Sequence, residues 1–344
     1  MSSNDRLRLI GGTGSPYTQK MLAVLRYRRI PYAITWGDPA GVLDEMGIEK
    51  PKPTFHPTFL FEDESGKIEP ACDSSPIIRR LESDFNGREV IPADPALAFL
   101  DYLIEDFGDE WCTKYMFHYR WYPKEDADNA GTLLPLTMDL GLTDEQLAQF
   151  KEFFTDRQVN RLYVVGSNDT TAPVIDASYR RYLAAMEAHL QQQPFMLGHR
   201  PGSGDFGMYG QLTQTVGFDP TPRAISHEVS PRTVAWIDRV RDLCGLEPSA
   251  DDWVAIDQQP DTLKALFNEI GRVYAPALLA NAAALEAGND TWETEIDGAP
   301  WTQKTFPYQA KCLRWIREEY EALSVSDRGK VDAVFDGTGC ETLL

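Results

Sequence analysis

The sequence predicts an α/β domain at the N-terminus, followed by a larger all-helical domain. An alternating apolar strand at residues 6–10 leads through a glycine turn into an apolar helix, and a strand–turn–strand unit and a second helix follow before residue 85. Beyond a linker that contains Pro and Gly, helical periodicity dominates. We therefore expect domains at residues 1–88 and 94–344, the second with an extension from about residue 250.

The composition favours a folded protein and argues against several partners. With 344 residues, 42% of them hydrophobic, the chain can bury two cores. Its net charge of −20 argues against nucleic acid and against anionic membrane surfaces. Residues 1–5 lack the basic and apolar stretches of a signal peptide, so we expect a cytoplasmic location. Five scattered cysteines without metal-ligand spacing predict reduced thiols and no metal.

The glycine turn at residues 11–14 places a hydroxyl at the start of a helix. Ser15 precedes Pro16, which suits the first turn of a helix because its missing N–H is not needed there. Free backbone N–H groups and the helix dipole favour an anion at this point, including a thiolate. Ser15 is therefore our candidate catalytic residue, with a plain helix cap as the alternative. Thr13 and Tyr17 flank the turn and compete for the role, although Tyr17 also suits packing.

Two further motifs follow within the first domain. His56 and Pro57 open the apolar run 58–61, and a second strand lies around Ile68. Asp73 and Ser74 then precede an apolar helix, as a helix cap does.

In this order, the S-P-Y-x-x-K helix, the X-Pro strand and the D-S-x-x-I helix resemble the thioredoxin-like N-terminal domain of glutathione transferases, over roughly residues 6–85. The resemblance implies that Ser15 hydrogen-bonds the glutathione sulfur. It also implies that the backbone of His56, before a cis Pro57, pairs with the cysteinyl unit, and that Asp73 and Ser74 hold the γ-glutamyl end.

The resemblance further implies an enzyme with glutathione as co-substrate, a small hydrophobic electrophile as second substrate, and a homodimer. The alternative is a non-catalytic glutathione-binding or protein-interaction module of the same fold. Because position 15 holds serine and not cysteine, thiol–disulfide reduction is disfavoured, and Cys72 is interpreted as a small buried hydrophobe. Phe55 stands where relatives often have a lysine, so Lys50 or Lys52 is the substitute candidate.

The helical domain offers candidates for the electrophile pocket. Residues 96–121 predict one long helix with an aromatic stripe at spacings of three and four, namely Trp111, Tyr115, His118, Tyr119 and Tyr122. Such a stripe is more often core, but the resemblance implies that this helix borders the hydrophobic site. We therefore predict a pocket of Tyr17, Tyr115, His118 and Tyr119. Arg120 is interpreted as a surface ion pair, with binding of an acidic substrate as the alternative.

Three other segments complete the prediction. Residues 143–146 predict a helix-capping box, and residues 195–205 resemble the family's cap of a central helix, with Gly202 in place of the usual Ser or Thr. The extension is expected to be an added structural layer, with a lid or dimer contact as alternatives and an irregular stretch at 292–301. A dinucleotide-binding turn is disfavoured, because the register from Gly12 places Tyr17 at the third glycine.

Overall fold

The computed structural model describes residues 6–344, so the expectation for residues 1–5 lies outside the described residues. Its N-terminal part is a four-stranded mixed sheet with three helices. In chain order these elements are β1 Leu7–Gly11, α1 Pro16–Tyr27, β2 Tyr32–Trp36, α2 Pro39–Met46, β3 Thr58–Glu62, β4 Ile68–Ala71 and α3 Ser74–Asp84. The strand order is β2–β1–β3–β4, with β1 parallel to β2 and antiparallel to β3, and β3 antiparallel to β4. This thioredoxin-like arrangement confirms the predicted fold class.

Helix α1 joins the sheet to the helical region. Its residues Met21, Leu22, Val24 and Leu25 are fully buried, as the apolar spacing predicts. Helix α9 of the second region, Ser203–Thr215, approaches α1 closely at Gly210, where an added Cβ would meet the Pro16 carbonyl oxygen at 2.6 Å. The start of α1 is therefore fixed against the rest of the protein.

The helical region follows residues 85–94, which form neither helix nor strand. Its helices are α4 Pro95–Glu110, α5 Cys112–Trp121, α6 Lys124–Met138, α7 Asp144–Val159, α8 Ala172–His189, α9 Ser203–Thr215, α10 Pro220–Val229 and α11 Pro231–Val240. The single helix expected at 96–121 is thus two helices. The Lys114 amide bonds the Trp111 carbonyl at 2.8 Å, a tighter i→i+3 turn at the junction.

Two predicted helix starts are confirmed. Thr143 and Gln146 form a reciprocal capping box at α7. At α9 the carboxylate of Asp205 accepts hydrogen bonds from the backbone N–H of Gly202 and of Met196, at 2.9 and 3.0 Å. Glycine therefore serves as the cap residue of α9, with Asp205 supplying the side-chain acceptor.

The extension contains helices and a β-hairpin. Its elements are α12 Asp261–Glu269, a π-helical turn Ile270–Tyr274, α13 Ala275–Glu286, β5 Thr291–Ile296, β6 Ala299–Lys304, α14 Pro307–Ala322 and α15 Val325–Phe335. Short 3₁₀ turns lie at Leu162–Val165, Ala250–Asp252, Ile256–Gln258 and Cys340–Leu343. No helix in residues 6–344 is long and apolar enough to cross a membrane.

The expectation of an irregular stretch at 292–301 is wrong. Strands β5 and β6 pair antiparallel around Asp297 and Gly298, which both have positive φ, 54° and 70°. Asp-Gly is a preferred pair for such a two-residue hairpin turn. Trp292 of β5 and Trp301 of β6 are buried, and their rings stack on each other. The second part of the chain is therefore helical with one hairpin inserted.

The extension shares a core with the helical region. Phe99 of α4 packs against Tyr320 and Phe335, and Trp111 packs against Trp301. These buried aromatic contacts fix α14, α15 and the hairpin on the flank of α4. That flank faces a large cavity, which is described next.

Candidate functional site

A cavity of about 1000 Å³ lies where the N-terminal domain, the helical region and the extension meet. The N-terminal domain contributes the glycine turn with the start of α1, the segment 51–56 before β3, and the start of α3. Helices α4 to α7 form a second wall, and residues 306–315 of the extension form a third. The predicted residues Ser15, Tyr17, His56, Asp73 and Ser74 all lie in this lining.

Ser15 is the N-cap of α1 and faces the cavity. Its Oγ accepts a hydrogen bond from the Thr18 amide at 3.2 Å. Within the described residues its hydroxyl proton has no acceptor, so the O–H group is free to donate to a ligand. A hydroxyl at this position adds to the backbone N–H groups and dipole that favour an anion.

The two competing residues are placed less favourably for this role. The Tyr17 hydroxyl donates to the Asp109 carbonyl oxygen at 2.8 Å, so its proton is already used. Burial, with the nearby charges of Glu110 and Asp109, raises the pKa of Tyr17 well above its usual value. Thr13 is exposed and lies outside the cavity lining. Of the three candidates, Ser15 alone offers a free hydroxyl in the cavity.

The helical region holds the glycine turn in place. Nη1 of Arg120 donates to the Gly14 carbonyl oxygen at 2.9 Å, while Nε lies 3.0 Å from both carboxylate oxygens of Asp219. Nη2 donates to Oε1 of Gln214 at 2.7 Å. An added Cβ on Gly14 would collide with Leu134 of α6.

Arg120 is buried, so the expected surface ion pair is wrong. Its pair with Asp219 lies inside the protein. Burial raises the pKa of Asp219 to about 6, although the Arg120 charge acts in the opposite direction. The conformation beside Ser15 is therefore supported by a buried ion pair of the helical region.

Lys20, the lysine of the S-P-Y-x-x-K motif, lies in a buried ionic cluster. Its Nζ donates to Asp109 at 2.6 Å, to Glu105 at 2.8 Å and to the Ser74 hydroxyl at 3.0 Å. Burial alone would lower the pKa of Lys20, but the carboxylates of Asp109 and Glu105 raise it. The cluster therefore links α1, α3 and α4 beneath the cavity, a role that the sequence analysis missed.

The start of α3 already has protein partners. Asp73 adopts a positive φ of 96°, and its Oδ2 accepts a hydrogen bond from the Tyr308 hydroxyl at 2.9 Å. The Ser74 hydroxyl lies between Lys20 and Asp109, with its oxygen 3.4 Å from Asp109 Oδ2. Both side chains are thus held by residues from other parts of the fold.

The segment before β3 matches its prediction in part. The His56–Pro57 peptide bond is cis, as the resemblance implies. Nε2 of His56 donates to the Gly37 carbonyl oxygen at 2.8 Å, which fixes the ring at the cavity edge. Lys52 and Phe55 lie in the lining, whereas Lys50 pairs with Asp44 at the surface, at 2.8 Å.

Cys72 also lies in the cavity lining, where it is half-buried. Its Sγ donates to the Pro53 carbonyl oxygen at 3.0 Å. Burial raises the pKa of this thiol above its usual value, which disfavours the reactive thiolate.

The predicted pocket differs from the structure at three residues. Tyr115, His118 and Tyr119 lie outside the cavity lining. They are buried toward α8 and residue 167, and their polar atoms have partners. Tyr115 bonds Ser178 at 2.7 Å, His118 bonds Ser167 at 2.7 Å and Tyr119 bonds Asp176 at 2.6 Å. The opposite side of α5 meets the cavity, through Thr113, Lys114, Met116, Phe117, Arg120 and Trp121.

Glu110 and Lys114 are two ionisable residues of the cavity lining that the sequence analysis missed. Burial, with the negative charges of Asp106 and Asp109, raises the pKa of Glu110 to about 8. Nζ of Lys114 donates to the Val165 carbonyl and to Gln303 at 3.2 and 3.1 Å, and burial lowers its pKa to about 7. Their spacing of four on a helical segment was the available signal, which ordinarily indicates a surface pair.

Comparison with known proteins assigns the first domain. Residues 9–89 match the family described as "Glutathione S-transferase, N-terminal domain". The N-terminal domain is thus similar to the N-terminal domain of glutathione S-transferases. A search of curated proteins finds no match. Among residues 6–344, no group of three or more His, Cys, Asp or Glu side chains is arranged to hold a metal ion.

Solved structures of glutathione transferases resemble the chain at low identity. A glutathione S-transferase from Rhodospirillum rubrum F11 is 15% identical, with 75% of this chain and 99% of that chain covered and a TM-score of 0.41. A family member from Pseudomonas fluorescens pf-5, with two glutathione bound, is 13% identical, with 70% and 88% covered and a TM-score of 0.40. The β-etherase LigF from Sphingobium sp. strain SYK-6 is 16% identical, with 70% and 96% covered and a TM-score of 0.39.

Proposed function

We propose that the protein binds glutathione in this cavity and activates its thiol for attack on a small hydrophobic electrophile. The observation that carries the proposal is the Ser15 hydroxyl. It lies in the cavity at the N-terminus of α1, with its oxygen bonded to the Thr18 amide and its proton without an acceptor among the described residues.

The energy required is within reach of this arrangement. A free thiol has a pKa of about 8.5, and each unit of lowering needs about 1.4 kcal/mol of preference for the thiolate. A hydrogen bond to a charged group contributes roughly 1.5–3 kcal/mol, and a helix N-terminus adds about 0.3–1 kcal/mol. Together they account for a shift of roughly one to three units, and a shift of about two units would ionise most of the bound thiol at neutral pH.

The far end of the cavity suits an apolar second substrate. Beyond Ser15, the wall formed by α5 to α7 presents mainly aromatic and aliphatic side chains, namely Met116, Phe117, Trp121, Leu134, Met138 and Phe154. Such a surface gains free energy by covering apolar ligand area. We therefore propose conjugation, isomerisation or dehalogenation of a small hydrophobic electrophile as the reaction class. A cytoplasmic location and a homodimer remain predictions.

One observation favours the second candidate, a binding or interaction module of the same fold. The residues expected to hold the γ-glutamyl end already have partners, since Asp73 accepts from Tyr308 and Ser74 lies between Lys20 and Asp109. A module of this kind would bind glutathione or a related thiol without ionising it.

Glutathione titration with ultraviolet difference absorbance of the thiolate separates these functions. For the wild type we expect a saturable thiolate signal at neutral pH, and for Ser15→Ala its loss with a rise of about one to two units in the thiol pKa. The matched control is Ser324→Ala, which removes the exposed N-cap of α15 far from the cavity. Each variant should lose about 1 kcal/mol of stability, but Ser324→Ala should keep the full signal.

The possible outcomes distinguish the candidates. Binding without a thiolate signal in the wild type would favour the non-catalytic module. A thiolate signal that persists in Ser15→Ala would remove Ser15 from the mechanism. No glutathione binding would contradict both candidate functions that use this thiol.

A further inference from the structure

We propose that the C-terminal extension completes the γ-glutamyl end of the glutathione-binding site, with Tyr308 as the residue that positions Asp73. This inference rests on the proposed function and assigns the extension a role in recognition of the γ-glutamyl ammonium group. Asp73 and Tyr308 are 235 residues apart in sequence, yet the Tyr308 hydroxyl donates to Asp73 Oδ2 at 2.9 Å within the cavity lining.

The start of α14 forms a roof over the γ-glutamyl end of the cavity. This roof consists of the five extension residues in the lining: Phe306, Tyr308, Gln309, Lys311 and Trp315. After Val165, these five are the only residues of the described chain, 6–344, that line the cavity. The first domain therefore does not close this end by itself.

The roof is held rigidly by the buried side chain of Asn281. Its Nδ2 donates to the Phe306 carbonyl oxygen at 3.0 Å, and its Oδ1 accepts from the Phe306 amide at 2.8 Å. On the next turn of α14, Cys312, Leu313 and Ile316 are fully buried. The Tyr308 ring thus projects from a helix whose start and inner face are both fixed.

Neighbouring rings fix the direction of the Tyr308 hydroxyl. The ring meets Trp315 edge to face, with centroids 6.3 Å apart, and Phe306 at the same separation. Nζ of Lys311 lies 4.0 Å from the centre of the Trp315 ring on the same helix. An aromatic side chain has only two rotatable bonds to restrain, so these contacts leave the hydroxyl little freedom.

The two oxygens of the Asp73 carboxylate differ in their hydrogen bonding. Oδ2 is used by the phenol, whereas Oδ1 has no hydrogen-bond donor among the described residues. A carboxylate oxygen that is oriented but unused is an acceptor for an ammonium group. Asp73 has a φ of 96°, a conformation that non-glycine residues rarely adopt. The hydrogen bond from Tyr308 restrains Asp73 in this conformation.

Tyr308→Phe in the full-length protein tests the assignment, because it removes only the hydroxyl and retains the ring. The ligands are glutathione and its analogue without the γ-glutamyl amine, each titrated by calorimetry and by thiolate absorbance. We expect about five- to tenfold weaker binding of glutathione, unchanged binding of the analogue, and an unchanged thiol pKa for bound glutathione. Discrimination between the two ligands should fall by the same factor.

The matched control is Tyr320→Phe. Tyr320 lies on the same helix and donates to an aspartate, Asp332, but away from the cavity. This variant should bind both ligands as the wild type does. Asp73→Asn is the second test, because it changes the acceptor of the same hydrogen bond. This variant should lose the same discrimination between the two ligands. Adding Tyr308→Phe to Asp73→Asn should then cause no further loss.

Two results would overturn the inference while leaving the proposed function intact. One is wild-type discrimination in Tyr308→Phe, and the other is equal weakening of both ligands, which would indicate a general effect of the roof. Failure of the wild type itself to bind glutathione would overturn the proposed function and this inference together, and it would be seen before any variant is made.

Discussion

Two helix starts of the N-terminal domain face the cavity, and they differ in what holds them. At α1 the hydroxyl of Ser15 has no acceptor in the described residues, while the backbone beside it is bonded to Arg120. At α3 the side chains of Asp73 and Ser74 are themselves bonded, to Tyr308 and Lys20. The first start leaves a hydroxyl proton without an acceptor among the described residues, whereas the side chains of the second are held by residues distant in sequence.

The largest effect expected from this comparison comes from Lys20→Met. The substitution leaves the buried carboxylates of Glu105 and Asp109 without their closest cation. Breaking a buried ion pair from one side costs about 3–5 kcal/mol, and the start of α3 loses its support. The free energy of unfolding in urea measures this loss. Lys50→Met, which breaks an exposed pair with Asp44, should change it by about 1 kcal/mol or less.

Arg120→Lys tests whether a residue of the helical region fixes the backbone conformation beside Ser15. Lysine keeps the charge near Asp219 but cannot reach Gly14, Gln214 and the carboxylate together, as the guanidinium does. We expect a loss of about 2 kcal/mol in stability and a smaller thiolate signal with glutathione. A full thiolate signal in a folded Arg120→Lys protein would show that the turn holds its conformation without this residue.

Glu110→Gln tests whether the buried carboxyl of Glu110 makes the stability of the protein depend on pH. Because burial raises the pKa of Glu110 to about 8, the folded state binds more protons than the unfolded state from about pH 4.5 upward. This carboxyl therefore lowers stability as pH rises to about 8. The variant should remove that decline and be more stable at pH 9 by on the order of 1–2 kcal/mol, since the cavity gives the carboxyl some access to solvent. Thermal unfolding from pH 5 to 9 gives the slope of stability against pH for the wild type and for the variant. Equal slopes in the two proteins would contradict the prediction.

Tyr17→Phe should have the smallest effect and sharpens the assignment of Ser15. It removes the hydrogen bond to the Asp109 carbonyl, which contributes roughly 0.5–1.5 kcal/mol to stability. The glutathione thiolate signal should remain, because the Tyr17 proton is not available to a ligand. Loss of that signal, with binding retained, would move the catalytic role from Ser15 to Tyr17.

The sequence predicts the first helix start well because its signals are local. Strand alternation, a glycine turn, Ser15 and Pro16 lie within a dozen residues, and each favours the same backbone. The second helix start was predicted as a backbone feature for the same reason. Its partner Tyr308 could not be found, because nothing in local periodicity joins residues 235 positions apart.

Other differences from the structure have separate physical causes. Helix α5 is buried on two sides, so spacing identified the stripe of Tyr115 and Tyr119 but not whether this stripe meets the cavity or α8. The buried site of Arg120 depends on Asp219, 99 residues away. The hairpin at Asp297-Gly298 was different, because its Asp-Gly signal was present in the sequence and was overlooked.

The most direct test of the central claim is the thiolate absorbance of glutathione bound to wild type and to Ser15→Ala at neutral pH. The account predicts a saturable signal in the wild type that is lost in the variant, while glutathione still binds and the protein stays folded. An equal thiolate signal in both proteins would contradict the role assigned to the Ser15 hydroxyl.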